Sequence, residues 1–136
     1  MKNLIAVSLL SLTAISCGPK NQKPSAQYEQ KKASLEDMER DSPLRFLSVS
    51  GSHRGNLVNQ TVVEGEITNK ATVVSYKNIS LQIKFLDNEG SVIEKQKKVL
   101  DETVKPGAAI EFKIKTSHVK GANAVNIDIT DATADK

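Results

Sequence analysis

Residues 76–86 read YKNISLQIKFL, and the alternation inside them decides the fold. Ile79, Leu81, Ile83 and Phe85 fall on one side of an extended chain, and Ser80, Gln82 and Lys84 on the other. That is the period of two of a half-buried strand. It is the strongest such signal in the chain and predicts a central strand. Asp87-Asn88-Glu89-Gly90 follows at once, with Asx residues to open a turn and a glycine able to take positive φ. Residues 91–100, SVIEKQKKVL, then resume as the second arm of a hairpin. Lys95, Lys97 and Lys98 on that arm are the charged dressing of an edge strand that must not pair with other molecules. A basic recognition patch is the functional alternative.

Outward from this hairpin the same pattern recurs. Upstream, residues 57–68, LVNQTVVEGEIT, place Val63, Gly65 and Ile67 on one face and Glu64, Glu66 and Thr68 on the other. A glycine on the inward side signals a bulge or the close approach of another segment. Residues 44–50 form a first strand ended by Gly51-Ser52, and residues 69–75, NKATVVS, hold either a short seventh strand at Val73-Val74 or a cap on the core. Downstream, Pro106-Gly107 suits the centre of a type II turn. Ile110, Phe112 and Ile114 then alternate with Glu111, Lys113 and Lys115, and Val125, Ile127 and Ile129 mark a last strand over residues 124–130. Residues 131–136, small or charged, are expected to fray. About seven strands without an amphipathic helix among them predict an all-β, antiparallel immunoglobulin-like sandwich over residues 44–130.

The order Val63-x-Gly65-x-Ile67-x-Asn69, then Tyr76-x-Asn78-Ile79, Ile83 to Asp87, Gly90 and Lys105-Pro106-Gly107 resembles the FxLYD family of bacterial envelope domains and the related DUF3426 domains. Ile83, Phe85 and Leu86 stand where the family motif has Phe, Leu and Tyr, so the name-giving residues are matched only in kind. The resemblance implies an immunoglobulin-like fold, frequent lipoprotein anchoring and no common activity.

Residues 4–17, LIAVSLLSLTAISC, explain how such a domain is held. Leu4 to Ser16 carry no charge, follow Lys2 and end in a small residue, the order of a secretory signal. The run is shorter than the roughly 20 apolar residues of a spanning helix. Ala14-Ile15-Ser16-Cys17 resembles the lipobox of bacterial lipoprotein precursors, which implies removal of residues 1–16 and acylation of Cys17. Two or more acyl chains anchor a protein stably where one does so only marginally. Gly18 stands where an aspartate would retain an enteric-type lipoprotein at the inner membrane, so the outer membrane is expected.

Residues 17–43 read as a tether. Between Gly18 and Asp41 five basic and five acidic side chains accompany almost no large apolar ones, too few to fold alone. Residues 26–40 are good helix formers, and Tyr28, Leu35 and Met38 form a sparse stripe along them. A solvated spacer is the expectation, and a helix that docks on a partner through that stripe is the alternative.

Composition narrows function mainly by exclusion. Without Lys2 the chain carries 18 basic and 16 acidic residues, and it has no Trp, two Tyr and three Phe. That small excess and the scarcity of stacking platforms argue against nucleic acid. Cys17 is the only cysteine, so no disulfide is available. His53 and His118, the only histidines, lack ligand spacing or a nucleophile to activate, so no metal, cofactor or catalytic residue is expected. Acidic pairs at Asp87/Glu89, Asp101/Glu102 and Asp128/Asp131 suit weak calcium binding, but acidic residues in turns usually serve the turn itself. The sequence thus points to a non-enzymatic, lipid-anchored module that meets another envelope protein. A small-ligand or glycan binder is the alternative, and a hydrolase comes third.

Overall fold

The computed structural model describes residues 26–136. The expected signal segment, Cys17 and the first part of the expected tether lie outside the described residues.

Helix α1 (Ala26–Asp41) gains one i,i+4 ion pair, Glu36 to Arg40 at 2.7 Å. Proline cannot continue an α-helix; Pro43 instead starts a short 3₁₀ turn, Pro43–Arg45. Six strands follow: β1 (Leu47–Gly55), β2 (Gln60–Asn69), β3 (Ser75–Leu86), β4 (Val92–Leu100), β5 (Ala109–Ser117) and β6 (Ala124–Asp135). They form two antiparallel sheets of three, ordered β1-β2-β5 and β4-β3-β6. This is the A-B-E against C′-C-F arrangement of an immunoglobulin-like sandwich.

The core lies where the alternating faces meet. Val63 and Ile67 of β2 and Phe112 and Ile114 of β5 pack on Ile79, Leu81, Ile83 and Phe85 of β3. The central role of β3 follows from its two ladders, since it pairs with β4 on one side and β6 on the other. β4 is an edge strand, and its residues opposite Leu81, Ile83 and Phe85 are Lys98, Gln96 and Glu94. Polar groups on that inward row keep the edge wet.

Three boundaries differ from the sequence reading. β1 starts at Leu47 rather than Leu44 and runs through Gly51 to Gly55. It continues because Gly51 lies opposite Gly65; a Cβ on Gly65 would come within 2.0 Å of the Ser50 carbonyl oxygen, so two bare backbones meet there. The seventh strand is absent and Val73-Val74 stay irregular, because a side chain rather than a neighbouring strand takes their N–H groups. Residues 131–135 do not fray: β6 runs to Asp135, since β3 begins at Ser75 and pairs with it. An ion pair from Lys77 to Asp135 at 2.7 Å closes that end.

Candidate functional site

The sandwich has two chemically different poles. At the first, where β2 ends and β3 begins, Asn69 is buried with each polar part of its side chain engaged. Its Nδ2 donates to the carbonyls of Val74 (2.9 Å) and Val104 (3.0 Å), and its Oδ1 accepts from the Ala71 N–H (2.8 Å). Its backbone N–H donates to the Ala108 carbonyl and its carbonyl accepts from the Gly107 N–H, both at 2.9 Å. One buried amide therefore holds the β2–β3 crossover and the Pro106-Gly107 turn together.

The crossover is gripped from the other side by α1. Glu39, fully buried, accepts the Thr72 N–H and hydroxyl on Oε1, both at 2.8 Å, and the N–H groups of Val73 (3.0 Å) and Val74 (3.1 Å) on Oε2. Burial alone would raise the pKa of this carboxyl, but the bonds from Thr72, Val73 and Val74 outweigh it and hold the pKa below its ordinary value. Tyr76, also buried, donates its hydroxyl to the Glu39 backbone carbonyl at 2.7 Å. Burial, with the Glu39 charge beside it, pushes that phenol up to about 12. The carboxylate accepts from four donors and the phenol commits its proton to a backbone carbonyl, so both act here as structural partners.

The second pole carries the β1–β2 hairpin, the β3–β4 turn and the β5–β6 loop. Asp87 Oδ1 accepts from the N–H groups of Glu89 and Ser91, each at 2.9 Å, and Gly90 takes φ +81°. At the hairpin tip Leu57 and Val58 stand in solvent. Between the poles, the outward face of the first sheet forms a shallow trough of about 760 Å³ beside Glu64, Glu66, Glu111 and Lys113. Glu64 is held by Arg54 (3.2 Å) and Lys113 (3.6 Å), with Arg54 foremost in keeping its pKa below the usual carboxylate value.

No protein-family model matches the chain, so the likeness to FxLYD and DUF3426 domains rests on the residues quoted above. No curated protein matches it either. Among solved structures it is similar to a DUF1425 family member from Shewanella sp. pv-4, with a TM-score of 0.47 and 13% identity over 65% of this chain and 81% of that one. It is also similar to the Salmonella enterica trimeric lipoprotein SadB, with a TM-score of 0.49 and 12% identity over 80% of this chain and 75% of that one. At these values neither neighbour says what the chain does.

The residues singled out from sequence are not brought together. His53 lies within β1 opposite Val63; His118 follows β5, and β2 separates the two strands. Among the described residues no group of three or more His, Cys, Asp and Glu is placed to hold a metal. The acidic pairs are engaged locally or exposed: Asp87 serves its turn, Asp128 pairs with Lys84 at 2.9 Å, and Asp101 and Glu102 face solvent. Lys95 and Lys97 lie opposite Lys84 and Gln82, on the outward row of β4, and Lys98 lies on the inward one, so the three lysines do not share a face. No described helix is long and apolar enough to cross a membrane.

Sequence reasoning overlooked Glu39, whose partners are 33 to 35 residues away. It quoted Asn69 and Tyr76 as motif positions without seeing their task. Asn78, between them and Ile79, takes φ +49° where the β3–β6 register shifts.

Proposed function

We propose that the chain is a bacterial envelope lipoprotein, anchored at the outer membrane through acyl chains on Cys17, whose FxLYD-like sandwich is a non-enzymatic interaction module. One observation carries this reading: the end of the tether helix is clamped into one pole by Glu39, while the other pole presents exposed apolar side chains. The twelve residues of β3 separate the poles by about 35 to 40 Å, and the 16 residues of α1 have a length of about 24 Å. A domain clamped this way holds a fixed attitude to its stalk. That arrangement suits presentation to a partner better than turnover of a substrate.

The test is crosslinking in intact cells followed by capture of the mature protein. Recovery of one envelope protein in near-stoichiometric amount is expected. Repeated recovery of none, together with a ligand-dependent rise in Tm, contradicts the reading and favours a small-ligand binder.

A further inference from the structure

The β1–β2 hairpin spends its polar groups on itself. Asn56 Oδ1 accepts from the N–H groups of Val58 (3.1 Å) and Gln60 (2.9 Å), and its Nδ2 donates to Gln60 Oε1 (3.1 Å). The Asn56 N–H donates to the Gln60 carbonyl at 3.1 Å, and Asn59 sits at φ +55°. These bonds fix the loop around two neighbouring side chains that water should not favour. Leu57 is 107% exposed and Val58 70%. Turns are usually built from small and polar residues, so a well-bonded turn that projects Leu and Val is a preorganised apolar knob. Such a knob loses little conformational freedom on binding.

Its surroundings give the knob a charge. Arg54 joins Leu57 and Val58 in lining a shallow groove of about 600 Å³. In the neighbouring register row Val62 lies between Arg54 and Lys115 and is only 1% exposed, though it is outside the core cluster. Over the four rows nearest the tip, from Ser52–Glu64–Lys113 to Gly55–Thr61–Thr116, Glu64 is the one carboxylate facing Arg54, Lys113 and Lys115. Arg54 and Lys113 share it. Lys115 is exposed and has no ion pair among the described residues.

We infer that the Leu57-Val58 tip is a docking knob and that its partner is a protein offering an apolar socket rimmed by carboxylates. This rests on the reading of the chain as an anchored interaction module. The knob lies at the ends of β1 and β2 remote from the Glu39 clamp, and so faces away from the stalk and the bilayer that the stalk would enter. A protein rather than the anchoring membrane meets it there.

The test places a photoreactive benzoylphenylalanine at Val58, and separately at Val99 on β4, which is also exposed, in the full chain in cells that express it. The Val58 probe is expected to join the chain to one protein, at apolar residues flanked by Asp or Glu. Leu57→Ser in the Val58-probe chain should lower adduct yield about tenfold, the effect of losing one buried anchor. Lys115→Glu should lower it about threefold, as for a rim charge. Leu57→Ser should leave the thermal unfolding curve in place, which separates lost docking from lost folding. An absent adduct, an equal adduct at Val99, a yield indifferent to Leu57→Ser, or adducts to phospholipid would each overturn the inference. If general crosslinking still recovers one envelope protein while the tip probe is silent, the module reading stands and the knob falls.

Discussion

The Tyr76 hydroxyl donates a 2.7 Å hydrogen bond to the backbone carbonyl of Glu39, tying the first residues of the central strand to the last turn of a helix that a sequence reading assigns to the tether. The Glu39 carboxylate ties the same turn to residues 72–74. Helix α1 and the sandwich are therefore one mechanical unit at this pole.

Glu39→Ala should cost about 2 to 4 kcal/mol, because the N–H groups of Thr72, Val73 and Val74 lose a common acceptor and only some regain water. Chemical denaturation would measure the loss. Amide exchange at residues 72–74 should accelerate well beyond exchange at Ile83. Unchanged exchange at those three amides would show that the clamp does not hold the crossover.

Acid should release the same clamp. The folded pKa of Glu39 lies below its ordinary 4.5, so the unfolded chain binds the proton more readily. The contribution to stability is complete above about pH 4.5 and is lost as pH falls through the depressed value. Glu39→Gln should flatten the acid limb of a stability–pH profile, and an unaltered limb would refute the assignment.

Alkali acts through Tyr76 with the opposite sign. Its folded pKa is raised from 10 to about 12. Its contribution to stability is therefore complete below pH 10 and is lost as pH rises toward about 12. Difference absorbance of tyrosinate should show a group titrating near 12 that Tyr76→Phe removes. That variant should cost about 1 to 2 kcal/mol at neutral pH by leaving the Glu39 carbonyl short of a donor.

Two glycines should answer differently to one extra methyl. Gly65→Ala places a Cβ against backbone, the Ser50 carbonyl oxygen and the Gly51 Cα, and should cost about 3 kcal/mol or more, at or beyond the upper end of ordinary overpacking. At Gly55 an added Cβ meets nothing within 4 Å, so Gly55→Ala should stay within about 0.5 kcal/mol. Phe85→Ala, which removes a fully buried aromatic ring from the core, should cost about 3 to 5 kcal/mol. Equal denaturation midpoints for the Gly65 and Gly55 variants would undo the argument for the close β1–β2 approach.

What sequence showed of this fold, it showed through local periodicity. The alternation at Ile79, Leu81, Ile83 and Phe85 is the observed core face of β3. Gly90 and Gly107, each read as a turn residue, both take positive φ. The misreadings come from interactions distant in sequence. Gly51 looks like a strand terminator until Gly65 is placed opposite it, and Asp131 to Asp135 look frayed until Ser75 to Lys77 supply a partner. Glu39 is one carboxylate among several in a charged segment, and nothing in its spacing tells of three amides more than thirty residues away. The knob at Leu57-Val58 was hidden differently. In the sequence both residues read as the start of a strand, and only the Asn56 turn shows them standing outside it.

Mass spectrometry of the N-terminal peptide of the protein from its own cells tests the proposed Cys17 anchor most directly. The prediction is a chain beginning at Cys17, with diacylglycerol on the thiol and an acyl group on the amine. A chain whose Cys17 thiol is free and unmodified would contradict it.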